Sequence, residues 1–426
     1  MFIKNFDELA KTPQRKVVLE LIETALGSIQ SENAINKSIE VTKDILTIKD
    51  KSFDLSNYER VFLIGFGKGS AKNSKLIEEK LREKLTEGYV IDTNPEDFKK
   101  IKFTQGTHPL PSQANVGFTD GLIKRFREVN LTEKDLVLIV VCGGGSAMLV
   151  HPAKISLDRK IEIEKALLKS GADIMEMNTI RQHLSTVKGG GLAELLYPAS
   201  VASLIFSDVP GNNLSFIASG PTVKDDTSIK DALSLLEKYD IKKNLNISED
   251  EFVDNPKDEK YFANASNILV LSNLSALSAM GKKAEQLGYT AEILSDRFEG
   301  EARNAGQELI GKTNPASILL AGGETTVKVT GSGIGGRNQE VVLGALSSLD
   351  QNTLIASFAT DGWDNSELAG ALGDVQTLES AKSQNLDIEK YLDENNSLEF
   401  FEKTGDGIKT DRLPSNVSDL FIVFKY

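Results

Sequence analysis

Five side chains with chemistry to offer stand beside glycine clusters or at the ends of apolar runs. They are Lys68 in GFGKGSA, Ser146 in CGGGSAM, Asp208 in FSDVPG, Asp361 in ATDGWDN and Arg337 in GSGIGGRNQE. The last stretch has four glycines in six residues, and glycine lets another molecule approach the main chain closely. NQEVVLGALSSL after it reads as a helix, so Arg337 and Asn338 stand at a helix start, where free N–H groups and the dipole favour an anion. A hairpin turn is the plainer alternative. SILLAGGETTVKVTG reads as two strands joined at Gly322 and Gly323, which accounts for some of the glycine but not for the Arg-Asn pair. A phosphate or carboxylate site is the preferred reading.

GFGKGSA follows a strand and opens a helix, the setting of a dinucleotide loop, and Asp92 ends the next strand where a ribose-binding acid would sit. Against that reading, an amine at Lys68 suits a point-charge clamp on phosphate oxygens, and the spacing does not match a Walker A loop. CGGGSAM repeats the logic. Gly143, Gly144 and Gly145 permit close backbone approach and Ser146 can donate its hydroxyl, whereas a nucleophilic Ser146 lacks both the G-x-S-x-G elbow and an evident histidine. In NTIRQHLSTVKGGG, Arg181 and His183 fall on different helix faces, Lys188 is the better ligand candidate, and His183 reads as structural. Asp208 and Asp361 each end an apolar run, where a carboxylate can ligate Mg²⁺, act as a base, or merely cap the turn. Two acids from two domains, with Lys68 and Arg337 from opposite sides, are what phosphoryl transfer needs: clamping by cations, positioning, and an acceptor for the hydroxyl proton.

The elements that must position these groups alternate. VFLIGFG, GYVIDTN, DLVLIVVC and ASVASLIF are short apolar runs separated by amphipathic stretches, which predicts an α/β domain with a largely parallel sheet and ligands at its strands' carboxyl ends. The loops after Gly67, Gly143 and Asp208 are expected to converge. Acidic, polar SEDEFVDNPKDEKYFANAS (248–266) reads as a surface connection, dividing the chain into domains 1–247 and 248–426. NILVLSN opens the second alternation, and TLIASFA and DLFIVFK are strands near its end.

The 426 residues carry a net charge of −13, which argues against a general nucleic-acid surface. Cys142 is the one cysteine, so no internal disulfide forms and a buried thiol in a reducing compartment is expected. His108, His151 and His183 lack zinc spacing. The first residues form an amphipathic helix rather than a signal peptide, and no stretch approaches the ~20 apolar residues of a membrane span. The cytoplasm is the expected location.

GFGKGSA, THPLPSQAN, CGGGSAM, NTIRQHLSTVKGGGLA, SDVPGNNLSFIASGPT, GGETTVKVTGSGIGGRNQE and ATDGWDNSELAGA, in that order, resemble the glycerate 2-kinase family, including the carboxyl-terminal region called MOFRL (about 315–426). The resemblance covers nearly the whole chain. It implies two α/β domains, a Rossmann-like amino-terminal one and a mixed carboxyl-terminal one, with an active cleft between them. It also implies ATP- and Mg²⁺-dependent phosphorylation of D-glycerate at C2. Charge and the short apolar runs predict no nucleic acid or membrane partner, and a homodimer is a further expectation. Lys68 and Arg337 match the family's proposed catalytic cations. Asp208 and Asp361 are then expected as metal ligand or base. Nucleotide contacts are expected from Gly143, Gly144, Gly145, Ser146, Lys188, Ser219, Gly220, Thr222, Glu324 and Asn338. Arg337 would equally suit the glycerate carboxylate. An NAD(P)-dependent hydroxypyruvate reductase is the alternative, and a binding protein without turnover a third reading. The chain departs from the usual pattern at Cys142, Asn212 and Trp363, and Arg412-Leu413-Pro414-Ser415 replaces small residues ahead of Asn416 and Asp419.

Overall fold

A computed structural model describes residues 1–426. They form two compact units: Ala34–Ser207 with Asn212–Val270, and Met1–Asn33 with Asp208–Gly211 and Leu271–Tyr426. The units do not follow a division at 247/248, because the first helix belongs with the carboxyl-terminal half of the chain.

The first of these units opens with an antiparallel meander of β1 (Ile39–Thr42), β2 (Ile45–Ile48) and β3 (Lys51–Asp54). Its main sheet contains β4 (Arg60–Phe66), β5 (Glu87–Asp92), β6 (Ile101–Gln105), β7 (Asp135–Val141), β8 (Ser200–Phe206) and β9 (Ala265–Leu271), in the order β6-β5-β4-β7-β8-β9. The β4, β5, β6, β7 and β8 pairings are all parallel, as the alternation predicts. Every residue of β7 is buried, the pattern of a strand covered on both faces. Two expectations change here. NILVLSN supplies β9, which completes this sheet and does not begin another. The 248–266 stretch is no free linker: Phe252 is wholly buried among Ile163, Ile180 and Leu236, and Asn255 Nδ2 donates to Asp225 at 2.6 Å. Its charge is real, but one aromatic and one amide anchor it.

The other unit carries β10 (Thr290–Phe298), β11 (Ser317–Gly323), β12 (Thr353–Ala359), β13 (Leu368–Gly373), β14 (Gly407–Lys409) and β15 (Asp419–Lys425), ordered β10-β11-β15-β12-β13-β14. Only β10 and β11 run parallel among the registered pairs. β15 lies antiparallel between β11 and β12, which sets Asp419 opposite both Gly323 and Ala359. The hairpin expected at Gly322 and Gly323 is absent: β11 ends at Gly323, and an irregular segment leads to the Arg337–Ala345 helix. That helix buries Val341, Val342 and Leu343 against Leu319, Ile355 and Phe421. The Pro13–Ser28 helix starts at a Thr12 cap with proline in its first turn. It is pinned by Arg15, fully buried, whose guanidinium meets Asp374 and Asp406, each at 2.6 Å. No helix is long and apolar enough to cross a membrane.

Candidate active site

The loops after β4 and β7, neighbours in the parallel sheet, touch through their backbones. Lys68 N–H donates to the Gly143 carbonyl at 2.8 Å, and a side chain on Gly67 would collide with the Cys142 carbonyl. Gly144 takes a left-handed φ of 74°, and a β-carbon there would sit 2.6 Å from the His108 ring. Lys68 is exposed. Partial burial first and the Lys68 ammonium second hold the His108 imidazole below its ordinary value. His108 is thus a neighbour of the lysine that motif spacing did not reveal.

The turn after β8 joins this group through Ser219, whose Oγ lies 3.2 Å from Ser146 Oγ and donates to Asn178 Oδ1 at 2.8 Å. Ala218, Ser219 and Gly220 all have left-handed φ (52°, 62° and 60°), and a run including two non-glycine residues there is strained. Lys188 is buried directly beneath. Its Nζ donates to the Ser146 carbonyl at 2.9 Å and reaches the Ala218 carbonyl at 3.4 Å, and burial drives its pKa well down. The lysine braces two loops, and its amine is directed at main-chain oxygens. Thr222 is turned elsewhere: its hydroxyl pairs with Ser203 and Asn267, stitching β8 to β9. Arg181 pairs with Glu164 at 3.1 Å, and His183, buried, pairs with the Val253 carbonyl and Thr227, a structural role as expected.

Asp92 does not present itself to a ribose. Its carboxylate accepts from Ala71 N–H at 2.9 Å and Thr93 N–H at 2.6 Å, and is 1% exposed, with burial raising its pKa. It closes the start of the Ser70–Leu81 helix from the neighbouring strand.

In the other unit, Arg337 stands at the first position of its helix, as expected, but the helix start is already filled. Asp364, 3% exposed, accepts from the N–H groups of Asn338 (3.1 Å) and Gln339 (2.9 Å) and from both their side-chain amides. Asn338 is therefore buried and structural, its Oδ1 accepting from Ser357 at 2.5 Å. The glycines have a packing cause too. Side chains on Gly331, Gly333 and Gly335 would strike Glu394, Asn396 and Ser397, and one on Gly336 would strike Asp364.

What the loop does present is the arginine. Asp419 takes Arg337 Nε at 2.5 Å and Nη2 at 3.3 Å, and Glu324 takes Nη1. A guanidinium carries one N–H on Nε and two on each Nη, so one on each Nη is left for a ligand oxygen. Burial pushes Asp419 up to about 7 against the pull of Arg337. Asp364 lies within the ATDGWDN motif and Asp419 just after the Arg412–Ser415 departure, but the motifs assigned neither a role at this helix start. The signal was the helix start itself: Gly336 cannot cap, so an acid had to come from elsewhere. Asp361 accepts the Trp363 N–H through Oδ1 at 3.1 Å, the turn-capping role, which leaves Oδ2 for a cation. Trp363 and Arg412, two departures from the family pattern, meet: the guanidinium lies 3.8 Å from the ring centroid. Asp208 is half-buried just beyond β8 and groups with the second unit, so the two acids belong to one unit and not, as expected, to two.

Comparison with known proteins gives consistent matches. Residues 17–252 match a family described as a domain of unknown function (DUF4147), and 317–419 match the MOFRL family. The chain is 34% identical to a glycerate 2-kinase of Pyrococcus horikoshii, covering 96% of both chains. It is 35% identical to a D-glycerate 2-kinase of Thermotoga maritima, over 91% of this chain and 96% of the relative. A crystal structure of a glycerate kinase from Thermotoga maritima superposes with a TM-score of 0.81 at 30% identity, covering 96% of this chain and 99% of that one.

Proposed function

The chain belongs to the glycerate kinase family, and from that premise we propose that it transfers the γ-phosphoryl group of ATP to the C2 hydroxyl of D-glycerate. The observation that carries the chemistry is Lys68: an exposed ammonium on a loop fixed to Gly143, at the carboxyl ends of adjacent parallel strands where such sheets take their ligands. In this reading Lys68 neutralises phosphate oxygens, and the Gly143–Ser146 turn, stiffened by Lys188 and Ser219, cradles them. Arg337, oriented by Asp419 and Glu324, offers its remaining N–H pair to a phosphoryl or carboxylate group. Asp208 and Asp361 share the remaining roles, accepting the hydroxyl proton and holding a divalent cation.

Mg²⁺ fits this donor set, because it is ordinarily held by one or two carboxylates together with phosphate oxygens and water. When bound it supplies charge neutralisation at the transferring group. The reductase reading is disfavoured by Asp92, whose carboxylate is already taken by main-chain N–H groups. Phosphorus NMR after incubation with ATP, Mg²⁺ and D-glycerate, beside NADH absorbance with hydroxypyruvate, tests the proposal. A 2-phosphoglycerate resonance without NADH loss is expected. A 3-phosphoglycerate resonance would overturn the regiochemistry, and NADH loss alone would overturn the kinase.

A further inference from the structure

Beside Arg337 the second unit contains a cavity of about 640 Å³ lined by Thr325, Val327, Val329, Glu340, Trp363 and Asn395 among others. Its walls are unlike those a small polyhydroxy acid would need. Val329 is 75% exposed and Trp363 39% exposed, so two apolar side chains are left open on one cavity. The volume falls within the ~300–1,000 Å³ range of pockets that enclose drug-sized ligands, and a three-carbon acid would occupy little of it. The indole is also held in place. Its own N–H on the main chain is fixed by Asp361, Leu413 N–H donates to the Asp361 carbonyl at 2.8 Å, and Arg412 stacks on one ring face, leaving the other for a ligand. Glu340, held by Asn395 Nδ2 at 3.2 Å, supplies an acceptor at the cavity, and Arg337 supplies a cation.

We propose that this cavity seats the base of the nucleotide: a purine ring stacks on Trp363 beside Val329, its amino group directed at Glu340, with the phosphates running towards Arg337. Stacking on an aromatic side chain tolerates any planar base, so the cavity selects nucleotides as a class. The proposal rests on the kinase reading for the phosphate donor being ATP.

Trp363 is the chain's one tryptophan, so its emission reports on this cavity alone. ATP and adenosine are expected to protect the indole from acrylamide quenching, while inorganic tripolyphosphate and D-glycerate leave quenching unchanged. Trp363→Ala should raise KM for ATP about tenfold, with KM for D-glycerate unchanged, and Trp363→Phe should restore it. ATP that binds by calorimetry and turns over, yet leaves the indole unprotected and KM insensitive to Trp363→Ala, would overturn the base site while leaving the kinase standing. Protection by D-glycerate and not by adenosine would likewise overturn it, giving the cavity to the acceptor. If neither ATP binding nor phosphoryl transfer is found, the kinase reading fails, and the adenosine titration alone decides the ring site.

Discussion

The Gly143–Ser146 turn and the Gly331–Gly336 segment look alike in sequence, each a cluster of glycines between a strand and a helix, and they are built for different ends. The first leaves Ser146 and its neighbour Lys68 beside left-handed backbone and braces Ser146 from below with Lys188. The second spends its glycines on contact with its own unit, against Glu394, Asn396, Ser397 and Asp364, and gives its helix start to a carboxylate. A glycine cluster therefore marks close approach to a backbone, and whether the approaching partner is a ligand or the protein itself depends on which acids lie nearby.

That contrast can be broken at several points. Its largest consequence concerns the cations. Lys68→Ala and Arg337→Lys should each lower kcat by about a hundredfold or more in a coupled kinase assay, with unchanged circular dichroism. Near-normal turnover in either folded variant would remove that residue from the site. Next comes Asp364→Ala, which takes the carboxylate from four buried donors, of which Gln339 Nε2 keeps other partners, Ser366 Oγ and the residue 364 carbonyl. It should cost about 3 kcal/mol in a urea titration, and a loss under about 1 kcal/mol would mean the helix start is open to a ligand after all. Gly331→Ala should cost about 2 kcal/mol through overpacking against Glu394, while KM for ATP in the folded fraction stays unchanged. A rise in KM without loss of stability would return the glycines to ligand binding.

A smaller effect follows from Asp419. Its folded-state pKa of about 7 lies above its ordinary 3.8, so the folded protein holds this proton more tightly than the unfolded chain. The stability from that proton is present below 3.8 and is lost as pH rises through about 7. Melting temperatures measured across this window should fall less with pH in Asp419→Asn than in the parent; identical slopes would show that Arg337 keeps the acid ionised throughout. The smallest effect is expected of Ser146→Ala, with KM for ATP raised a few-fold and the melting temperature nearly unchanged.

Most of the sheet strands were legible because burial on both faces leaves continuous apolar runs such as DLVLIVV. β6, β13, β14 and the β1–β3 meander were not; LAGALG and GIK, for instance, are short and glycine-rich and take their strand character from neighbours. β9 was recognised as a strand but assigned to the wrong sheet, because pairing partners are a tertiary property that a run of apolar residues does not encode. At the site, Lys68, Ser146 and Arg337 announced themselves through local spacing. Their supports, Asp364, Asp419, His108 and Asn178, lie in or beside recognised motifs, but which group each one meets depends on distant segments coming together in the fold. Thr222 and Asn338 erred in the other direction: both lie within motifs, yet their side chains face inward to hold strands and a helix start together.

The strand that divides the mixed sheet has a bearing on biosynthesis. β15 follows every other strand along the chain yet lies in the middle of its sheet, and its first residue is the acid that orients Arg337. A nascent polypeptide released before residue 419 would have two unpaired sheet halves and an unclasped arginine. Such a fragment is expected to be inactive and exposed to proteolysis, so that translation errors late in the message yield waste for degradation, not a partly working enzyme.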